Sequence, residues 1–540
     1  MQQQNESLHK LLINLHLQYQ GSDTLIDIQY HKNLSLTELK TRFKNLHKQQ
    51  FGFVQDGVSI MINSISVEAI GAAHEVSPSI AEQEKPAPLL AIKEVSSYFQ
   101  GEWLTTPVYK REHIQAHHEI SGPAIILEST GTLYIEPNWQ VKHLVDGQLL
   151  LQQVQSSEVG LDNTPSNAHS NLECNANEPD PVELALFNNR FMAIAEQMGA
   201  TLAKTAHSVN IKERLDFSCA LFDKDGQLIA NAPHVPVHLG SMGESVKTVI
   251  QRRKSQQIAP FKEGDAFVLN NPYAGGTHLP DITLISPVIN QGKVTFFVAS
   301  RGHHADIGGL TPGSMPANSQ HIEEEGVLLD CMTAVKEGIL LTDELTNAFC
   351  QVKYPVRNLK QNLNDLQAQI AANQSGIHAL QKLVKQHGLN KVQAYMTHVL
   401  NHAEKTVKQL IPKLKAGEFC YETDQQAHIK VTITPNIKQQ TLTIDFRGSS
   451  KQQSNNFNAP FAITRAATLY VIRTLVNQPI PLNDGFLRPV TIKVDDNSML
   501  NPKYPAAVVA GNVETSQVIT DTLFGAFQTQ AASQGSMNNL

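Results

Sequence analysis

Between residues 156 and 179 the sequence loses its apolar periodicity. The segment, "SSEVGLDNTPSNAHSNLECNANEP", is rich in Ser, Asn and Asp and has almost no large apolar residues at regular intervals. A stretch of this composition cannot build a packed core, so it is expected to be a linker. The chain of 540 residues is also too long for one ordinary hydrophobic core. The sequence therefore predicts two modules, residues 1–155 and 180–540, joined by the linker 156–179.

The shorter module is predicted to be rich in strands. Alternating apolar segments favour strands there, and an amphipathic helix is expected after Ser35, whose hydroxyl suits an N-cap. Residues 77–89 have the Pro, Ser and charge content of an exposed loop.

The longer module alternates between helical and strand-like patterns. A helix is expected to begin at Pro181 with Asp180 as its N-cap. Strands joined by turns are predicted to dominate residues 215–300, and helical spacing returns over 357–415, where it is interrupted at Gly388. The predicted fold class is α+β, with a strand-rich N-terminal module followed by a larger mixed α/β domain.

Charge and cysteine content exclude several classes of protein. Charged residues make up 17% of the chain and the formal net charge is -7, so no basic surface for nucleic acid is expected. The five cysteines are scattered and form no CxxC pair, which argues against a disulfide framework or a cysteine-rich zinc site. The N-terminus lacks the features of a secretory signal, and no apolar run is long enough to span a bilayer. The sequence predicts a soluble cytoplasmic protein that binds neither nucleic acid nor membranes.

Two apolar runs flanking a short turn carry the most chemically informative residues. Residues 277–309 read "THLPDITLISPVINQGKVTFFVASRGHHADIGG", and the turn residues "NQGK" favour an antiparallel hairpin. Pairing about a centre near Gln291 sets Asp281 opposite roughly Arg301, and likewise sets "HLPD" opposite "RGHH". His278 then lies opposite roughly His304, so both clusters are expected to meet at one end of the hairpin.

Imidazole nitrogens and carboxylate oxygens that converge in a cleft suit a borderline divalent ion such as zinc, manganese or iron. A second hairpin about the turn "DKDG" would bring Asp216 near His234, with His238 as a further candidate. Against a metal site, single histidines are more often surface or hydrogen-bonded core residues, and Asp306 suits a turn cap before two glycines. The sequence contains no P-loop, no GxGxxG after a strand and no GxSxG elbow, so no nucleotide site is expected in this chain.

At these residues the sequence resembles the hydantoinase/oxoprolinase family. Motifs from about residue 180 onward are similar to its B-type domain, among them "NIKERLDFSCALFD", "NNPYAGGTHLPDITLISPV", "RGHHADIGGLTPGSMP" and "VVAGNVETSQVITDTLFGA". Residues 1–155 resemble the C-terminal region of its A-type module through "LQYQGSDTLIDI" and "GPAIILESTGTLYIEPNW". The fused order implies an ATP-dependent cyclic-amide hydrolase, in which 5-oxo-L-proline is phosphorylated on its amide oxygen and then hydrolysed to L-glutamate with release of ADP and phosphate.

The resemblance also implies the site residues. Metal ligands are expected at Asp216, His278, Asp281 and His303, with His304 as the alternative in the last place. Catalytic roles are expected for Asp216, His303, His304 and Asp306. The residues expected to orient a substrate carboxylate are Arg301, Arg465, Asn483 and Arg488. The implied cofactor is a divalent metal (zinc, manganese or iron) acting as a Lewis acid that polarises the carbonyl and lowers the pKa of bound water.

Partners follow from the same resemblance. In the family, ATP-Mg is held by an actin-like N-terminal portion of the A-type module, which this sequence lacks, and the sequence stops inside the B-type motif "AASQGSMNNL". The chain is therefore expected to be a fragment that needs an A-type ATPase portion or subunit, and to form a homo-oligomer. Three alternatives are open: another ATP-dependent hydantoinase or lactamase, an acetone-type carboxylase subunit, or an inactive assembly module.

Overall fold

The computed structural model describes residues 8–20, 22, 24–52, 54, 57–71, 88–99, 101–144, 147–154, 179–232, 235–255, 260–476 and 480–536. They form two compact units, one within Met1–Lys10 and Ala69–Leu172 and the other within Leu11–Glu68 and Glu173–Leu540. The linker predicted at 156–179 lies outside the described residues except for Pro179, and so does most of the loop predicted at 77–89. The compact units differ from the predicted modules, because Leu11–Glu68 belongs to the larger unit. The module boundaries at 1–155 and 180–540 stay predictions from the sequence.

In the smaller unit the described strands form two small sheets. Their bounds are β4 (Lys93–Phe99), β5 (Glu102–Lys110), β6 (Glu119–Ser121), β7 (Ala124–Leu127), β8 (Thr132–Ile135), β9 (Trp139–His143) and β10 (Leu149–Gln153). The sheet orders are β4-β5-β7-β8 and β10-β9-β6. Alternate residues such as Ile120, Ile126 and Val141 are buried in a shared apolar cluster, as expected for strands with one covered face.

The segment Leu11–Glu68 contributes a helix and strands to the larger unit. The elements here are β1 (Leu8–Tyr19), β2 (Ile26–Gln29), α1 (Leu36–Phe51) and β3 (Ile60–Gly71), in the sheet order β2-β1-β3. The helix predicted after Ser35 is confirmed, because the Ser35 side chain accepts from the Glu38 N–H while the Glu38 carboxylate accepts from the Ser35 N–H.

The rest of the larger unit follows in sequence order. Its helices are α2 (Pro181–Thr205), α3 (Val209–Lys212), α4 (Pro236–Ser255), α5 (Thr342–Cys350), α6 (Leu359–His387), α7 (Leu389–Leu410), α8 (Phe461–Leu475) and α9 (Ser516–Phe527). Its strands are β11 (Phe217–Asp223), β12 (Leu228–Asn231), β13 (Ala266–Leu269), β14 (Asp281–Asn290), β15 (Lys293–His303), β16 (Met332–Lys336), β17 (Ile339–Leu340), β18 (Gly417–Glu422), β19 (His428–Asn436), β20 (Thr441–Asp445) and β21 (Val490–Lys493). Short 3-10 turns and one π-helical turn, Gly511–Thr515, connect several of them.

The central sheet of this unit is buried on both faces. Its strand order is β12-β11-β15-β14-β13-β16-β17, and its paired strands are antiparallel. Residues that alternate along β15 enter different apolar clusters, with Val298 packing beside residues of α2 and α7 and Phe297 beside residues of α4. Burial on both faces explains why these strands have continuous apolar runs in the sequence rather than alternation. A second sheet, β18-β19-β20-β21, packs with α8 and α9.

The hairpin of β14 and β15 is confirmed, but its predicted register was wrong by two residues. Asp281 pairs with His303 rather than with Arg301. A turn through Gln291 and Gly292, both with positive φ, shifts the centre by half a residue, and a bulge at Val288 and Ile289 adds one more residue to the offset. A histidine, not an arginine, therefore lies opposite the aspartate.

Helix α4 was not predicted from the sequence, which favoured strands and turns over 215–300. Two glycines, Gly240 and Gly243, weaken its helical signal. Gly240 has a packing reason, because a Cβ there would lie 2.3 Å from the Cα of Ala466 in α8. The predicted start of α2 and the predicted break at Gly388 are confirmed, since Asp180 accepts from two N–H groups of α2 and Gly388, at φ 81°, separates α6 from α7.

Candidate metal centre

The end of the central hairpin brings three polar side chains together. Asp281 begins β14, His303 ends β15 directly opposite it, and His278 lies in the loop just before β14. The ligand atoms of these three residues lie within 4.8 Å of one another. Two imidazoles and a carboxylate are thereby gathered at one sheet edge, as the pattern of "HLPD" and "RGHH" predicts.

The contacts centre on the carboxylate of Asp281. The Nδ1 atom of His278 lies 3.0 Å from Asp281 Oδ2, and the Nδ1 atom of His303 lies 3.2 Å from Asp281 Oδ1. All three side chains are buried or nearly so, with Asp281 fully covered and His303 15% exposed. The two carboxylate oxygens therefore face different imidazoles.

Surrounding groups fix the orientation of this carboxylate. Thr277 donates from its hydroxyl to Asp281 Oδ2 at 2.6 Å, and His238 Nε2 lies 3.1 Å from the same oxygen. The other nitrogen of His238 is 3.2 Å from the hydroxyl of Ser218. Partners of this kind orient a ligand and raise its affinity for a metal.

The π-helical turn before α9 adds a further contact. Asn512 donates from Nδ2 to His278 Nδ1 at 2.8 Å, and its buried Oδ1 has no hydrogen-bond partner among the described residues. The same Nδ1 atom lies 3.0 Å from Asp281 Oδ2, so an imidazole nitrogen, an amide and a carboxylate converge here. A cation among them would stabilise this arrangement. Turns of π-helix are frequent at functional sites.

Electrostatics favour the ligand forms of Asp281 and His278, whereas they favour protonation of His303. Burial alone would raise the pKa of Asp281, but the nearby His278 and His238 hold it well below its usual value, so the carboxylate stays ionised. Burial lowers the pKa of His278, which favours its neutral form. Burial also pulls down the pKa of His303, but its hydrogen bond to Asp281 and the charges of Asp281 and Asp216 raise the pKa overall.

This donor set fits a borderline divalent ion. Neutral imidazole and carboxylate ligands without thiolate suit zinc, manganese or iron, and the set does not distinguish among them. The cluster lies at a cavity of about 1080 Å³ that is large enough for a small substrate.

Asp216 lies at the edge of the cluster. Its Oδ2 atom is 3.7 Å from His303 Nδ1 and its side chain is 37% exposed. The backbone supports this placement, because the His303 N–H donates to the Asp216 carbonyl at 3.0 Å. Asp216 is thus beside the three-residue group rather than within it. His234, its expected neighbour, lies outside the described residues.

Two of the expected catalytic residues point elsewhere. His304 is buried against α6, where Gln369 and Asn362 each lie 3.2 Å from one of its ring nitrogens. Asp306 accepts from the N–H groups of Gly308 and Gly313 and forms an ion pair with Arg357 at 2.7 Å. Neither side chain lines the cavity at the cluster, so their catalytic roles stay predictions without support from the geometry.

Arg301 is fully buried behind the cluster rather than facing the cavity. Its guanidinium donates to the hydroxyls of Thr283 at 2.7 Å and Ser245 at 2.9 Å, and also to Ser241. It donates further to the Gly275 carbonyl at 3.3 Å. Burial lowers its pKa to about 10, against an opposing effect of Asp281. Arg301 thus ties α4 and the loop before His278 to the hairpin.

The other expected substrate-binding residues gather away from the cluster. Arg465 and Arg488 line a separate cavity of about 260 Å³, where Arg465 pairs with Asp484 at 2.8 Å. Arg488 donates to Gln227 and Asn401, and Asn483 caps the turn that begins at Asp484. Their expected role in orienting a substrate stays a prediction, and their contacts here hold α4, α7 and α8 together.

Sequence reasoning missed the residues that support the ligands. Thr277 directly precedes "HLPD" but has no metal-ligand signal of its own, and His238 is only a further candidate in the sequence, which does not predict α4. Asn512 is more than 230 positions from His278 in the chain, and no local pattern predicts a π-helical turn.

Comparison with known sequences places the chain in a family. The profile described as Hydantoinase B/oxoprolinase matches residues 180–540. The chain belongs to the hydantoinase B/oxoprolinase family. A second profile, the hydantoinase/oxoprolinase C-terminal domain, matches residues 38–153. The resemblance inferred from the motifs is thereby confirmed.

Curated relatives match nearly the whole chain. It is 41% identical to 5-oxoprolinase 1 of Arabidopsis thaliana and 39% identical to the 5-oxoprolinase of Saccharomyces cerevisiae, in each case over 97% of this chain. The chain spans 42% and 41% of the length of those relatives.

Solved structures confirm the mixed α and β fold. The ATP-dependent caprolactamase from Pseudomonas jessenii superposes with a TM-score of 0.56 at 23% sequence identity, covering 65% of this chain and 61% of that one. Among the described residues, no helix combines the length and apolar character needed to cross a membrane.

Proposed function

We propose that the chain is the metal-bearing part of an ATP-dependent 5-oxoprolinase, which opens the lactam of 5-oxo-L-proline to give L-glutamate. The observation that carries the proposal is the buried group of His278, Asp281 and His303 at the cavity, in a chain that matches 5-oxoprolinases over 97% of its length.

Different side chains would bind the metal, orient its ligands and accept a proton. Asp281, His278 and His303 would hold the divalent ion, with Asp216 as a further ligand or as a proton acceptor beside His303. When bound, such an ion polarises a carbonyl oxygen and lowers the pKa of a coordinated water. Thr277 and His238 keep the Asp281 carboxylate oriented. The exposed part of Asp216 faces the cavity, where it can accept a proton from an attacking water.

The ATP step is assigned to another portion of the enzyme. The relatives named 5-oxoprolinase extend well beyond the region that this chain matches, and the chain has no phosphate-binding loop of a recognised kind. We therefore propose that an A-type ATPase portion or partner phosphorylates the amide oxygen and that the activated lactam is hydrolysed at the cavity. A fragment status, a homo-oligomeric assembly and a cytoplasmic location belong to the same proposal.

A substrate comparison tests the assignment. The chain is joined to the A-type portion, as one polypeptide or as a mixture, and ADP release is measured with 5-oxo-L-proline, hydantoin, caprolactam, or acetone with bicarbonate. We expect ADP release with 5-oxo-L-proline, accompanied by glutamate, and loss of glutamate formation in Asp281→Asn. ADP release that depends on hydantoin or on the ketone, but not on 5-oxo-L-proline, would contradict the proposal.

A further inference from the structure

Arg214 occupies a tight turn beside the candidate metal centre. It lies between α3 and β11, and its N–H donates to the Val209 carbonyl at 3.0 Å. The next residue, Leu215, has φ 55°, and the Asp216 N–H donates to the Asn210 carbonyl at 2.9 Å. These contacts fix the backbone from which the Arg214 side chain reaches the cavity.

The guanidinium of Arg214 makes no hydrogen bond or ion pair with a residue that the structure describes. Several other arginines of the larger unit are engaged, as Arg301 is by hydroxyls, Arg357 by Asp306 and Arg465 by Asp484. Arg214 is therefore a cation whose donors are directed to solvent in the cavity.

The charge balance of the cavity makes this cation distinctive. Among the described residues that line it, Arg214 is the permanent cation, while the acidic groups are Asp216, Asp281 and Asp521. Asp521 is already satisfied, because it accepts from Gln517 and from the N–H and hydroxyl of Ser533. Asp281 is engaged by the histidines and Thr277. Asp216 lies beside His303 and forms no ion pair with Arg214, so among the described residues no acidic side chain of the cavity is paired with Arg214.

Arg214 and the ligand group share one cavity. Burial lowers the pKa of His303 and its aspartate neighbours raise it, and the positive charge of Arg214 opposes the aspartates. Asp216, two positions along the chain, is itself 3.7 Å from His303. Arg214 and the three residues of the ligand group therefore line the same cavity.

We infer that Arg214 binds the negatively charged group of the substrate, so that the cavity selects small cyclic amides that carry a carboxylate over neutral ones. This inference rests on the proposed function and adds its specificity determinant. A guanidinium can form two parallel hydrogen bonds to a carboxylate, which a lysine ammonium cannot reproduce. A neutral amide in place of the carboxylate would lose this charge-assisted pairing, and we expect about 10- to 100-fold weaker binding.

Arginine labelling and titration test the inference. The chain loaded with Zn²⁺ is treated with phenylglyoxal in the presence of 5-oxo-L-proline, its neutral analogue 5-oxo-L-prolinamide, or inorganic phosphate, and labelling is mapped by mass spectrometry. We expect 5-oxo-L-proline to slow labelling at Arg214 and the prolinamide not to do so. Arg42, an exposed arginine of α1, is the internal control and should be labelled at the same rate throughout.

Calorimetric titration of the variants gives the second readout. Arg214→Gln should weaken binding of 5-oxo-L-proline about 10- to 100-fold and leave binding of the prolinamide unchanged, while Arg42→Gln changes neither. Arg214→Lys should retain part of the preference for the anion.

The outcomes separate the two proposals. Absence of protection by both anions, or equal weakening of acid and amide in Arg214→Gln, would overturn the role of Arg214. Protection by phosphate without protection by 5-oxo-L-proline would support an anion site at Arg214 and count against 5-oxo-L-proline as the substrate.

Discussion

At the scale of single residues, the site is organised around one carboxylate. Asp281 Oδ2 receives a hydrogen bond from Thr277 and lies beside two imidazoles, while Oδ1 faces His303. A fully buried carboxylate would be costly without such partners. The cluster therefore stabilises a charge that an apolar interior would otherwise reject, and this charge is what a divalent ion needs.

Removing the Thr277 hydroxyl should weaken metal binding without removing a ligand. We expect Thr277→Val to bind Zn²⁺ or Mn²⁺ about 10- to 100-fold more weakly, because the Asp281 carboxylate loses its shortest hydrogen bond. Competition with a chromophoric chelator measures this affinity. Thr295→Val is a matched control, since Thr295 is also buried and donates to the Val288 carbonyl away from the cluster. Equal affinities in the Thr277 variant and the wild type would rule out this supporting role.

Glu325 should make stability depend on pH. It accepts from the N–H groups of Val508 and Val509 and from the Ser319 hydroxyl, and burial raises its pKa to about 7 from a usual value of 4.5. Because the folded value is the higher one, the stabilisation is complete below about pH 4.5 and is lost as the pH rises through about 7. The effect amounts to at most about 3 kcal/mol.

The variant Glu325→Gln isolates this effect. It stays neutral, so its melting temperature relative to the wild type should increase between pH 5 and pH 8, whatever the offset at low pH. Glu324→Gln is the control that should show no trend in this range, because backbone hydrogen bonding from Gln320 lowers the pKa of Glu324 and the group is ionised above pH 5 whether the protein is folded or unfolded. Parallel curves for Glu325→Gln and the wild type would contradict the assigned shift. Calorimetric scans across this pH range provide the comparison.

At the scale of elements, a hairpin and a helix crossing build the site. The turn and bulge of β14 and β15 decide which residue faces Asp281, and α4 brings His238 to the same carboxylate. The place of α4 depends on its contact with α8, where Gly240 meets Ala466.

Two glycines of α4, Gly240 and Gly243, allow the contact between α4 and α8 to be tested against helix propensity. Gly240→Ala should destabilise the protein by about 1–3 kcal/mol, because its Cβ would lie 2.3 Å from Ala466 Cα. Gly243→Ala should be neutral or stabilising by up to about 1 kcal/mol, since its nearest neighbour would be 3.5 Å away and alanine favours helix. Thermal unfolding of both variants measures the difference. A similar loss for both would show that helix propensity, not the crossing, dominates.

At the scale of the whole molecule, local patterns predicted much of the fold but little of its packing. The caps at Ser35 and Asp180, the break at Gly388 and the central hairpin are local features, and each is confirmed. The bulge that sets the hairpin register is not visible in a symmetric count about the turn. Helix α4 is stabilised by a contact with α8, more than 220 positions away in sequence. The local sequence of α4 is therefore not enough to predict the helix.

The candidate site likewise contains residues that local sequence predicts and residues that only the tertiary fold brings to it. His278, Asp281 and His303 were predicted because they lie at the ends of one hairpin and within family motifs. Asn512 reaches the site through a distant π-helical turn, which no spacing rule predicts. The arginines expected near the substrate are instead buried or paired, because a guanidinium that holds helices together looks the same in sequence as one that binds a ligand.

The metal content of the purified chain tests the assignment of the metal centre most directly. The chain is stripped with a chelator, incubated with Zn²⁺, Mn²⁺ or Fe²⁺, passed through a desalting column and analysed for bound metal. We expect about one ion per chain in the wild type and in the surface controls Asp343→Asn and His31→Ala, and almost none in Asp281→Asn or His278→Ala. Equal metal content in the site variants and the controls, with each variant folded by circular dichroism, would contradict the assignment of the metal centre.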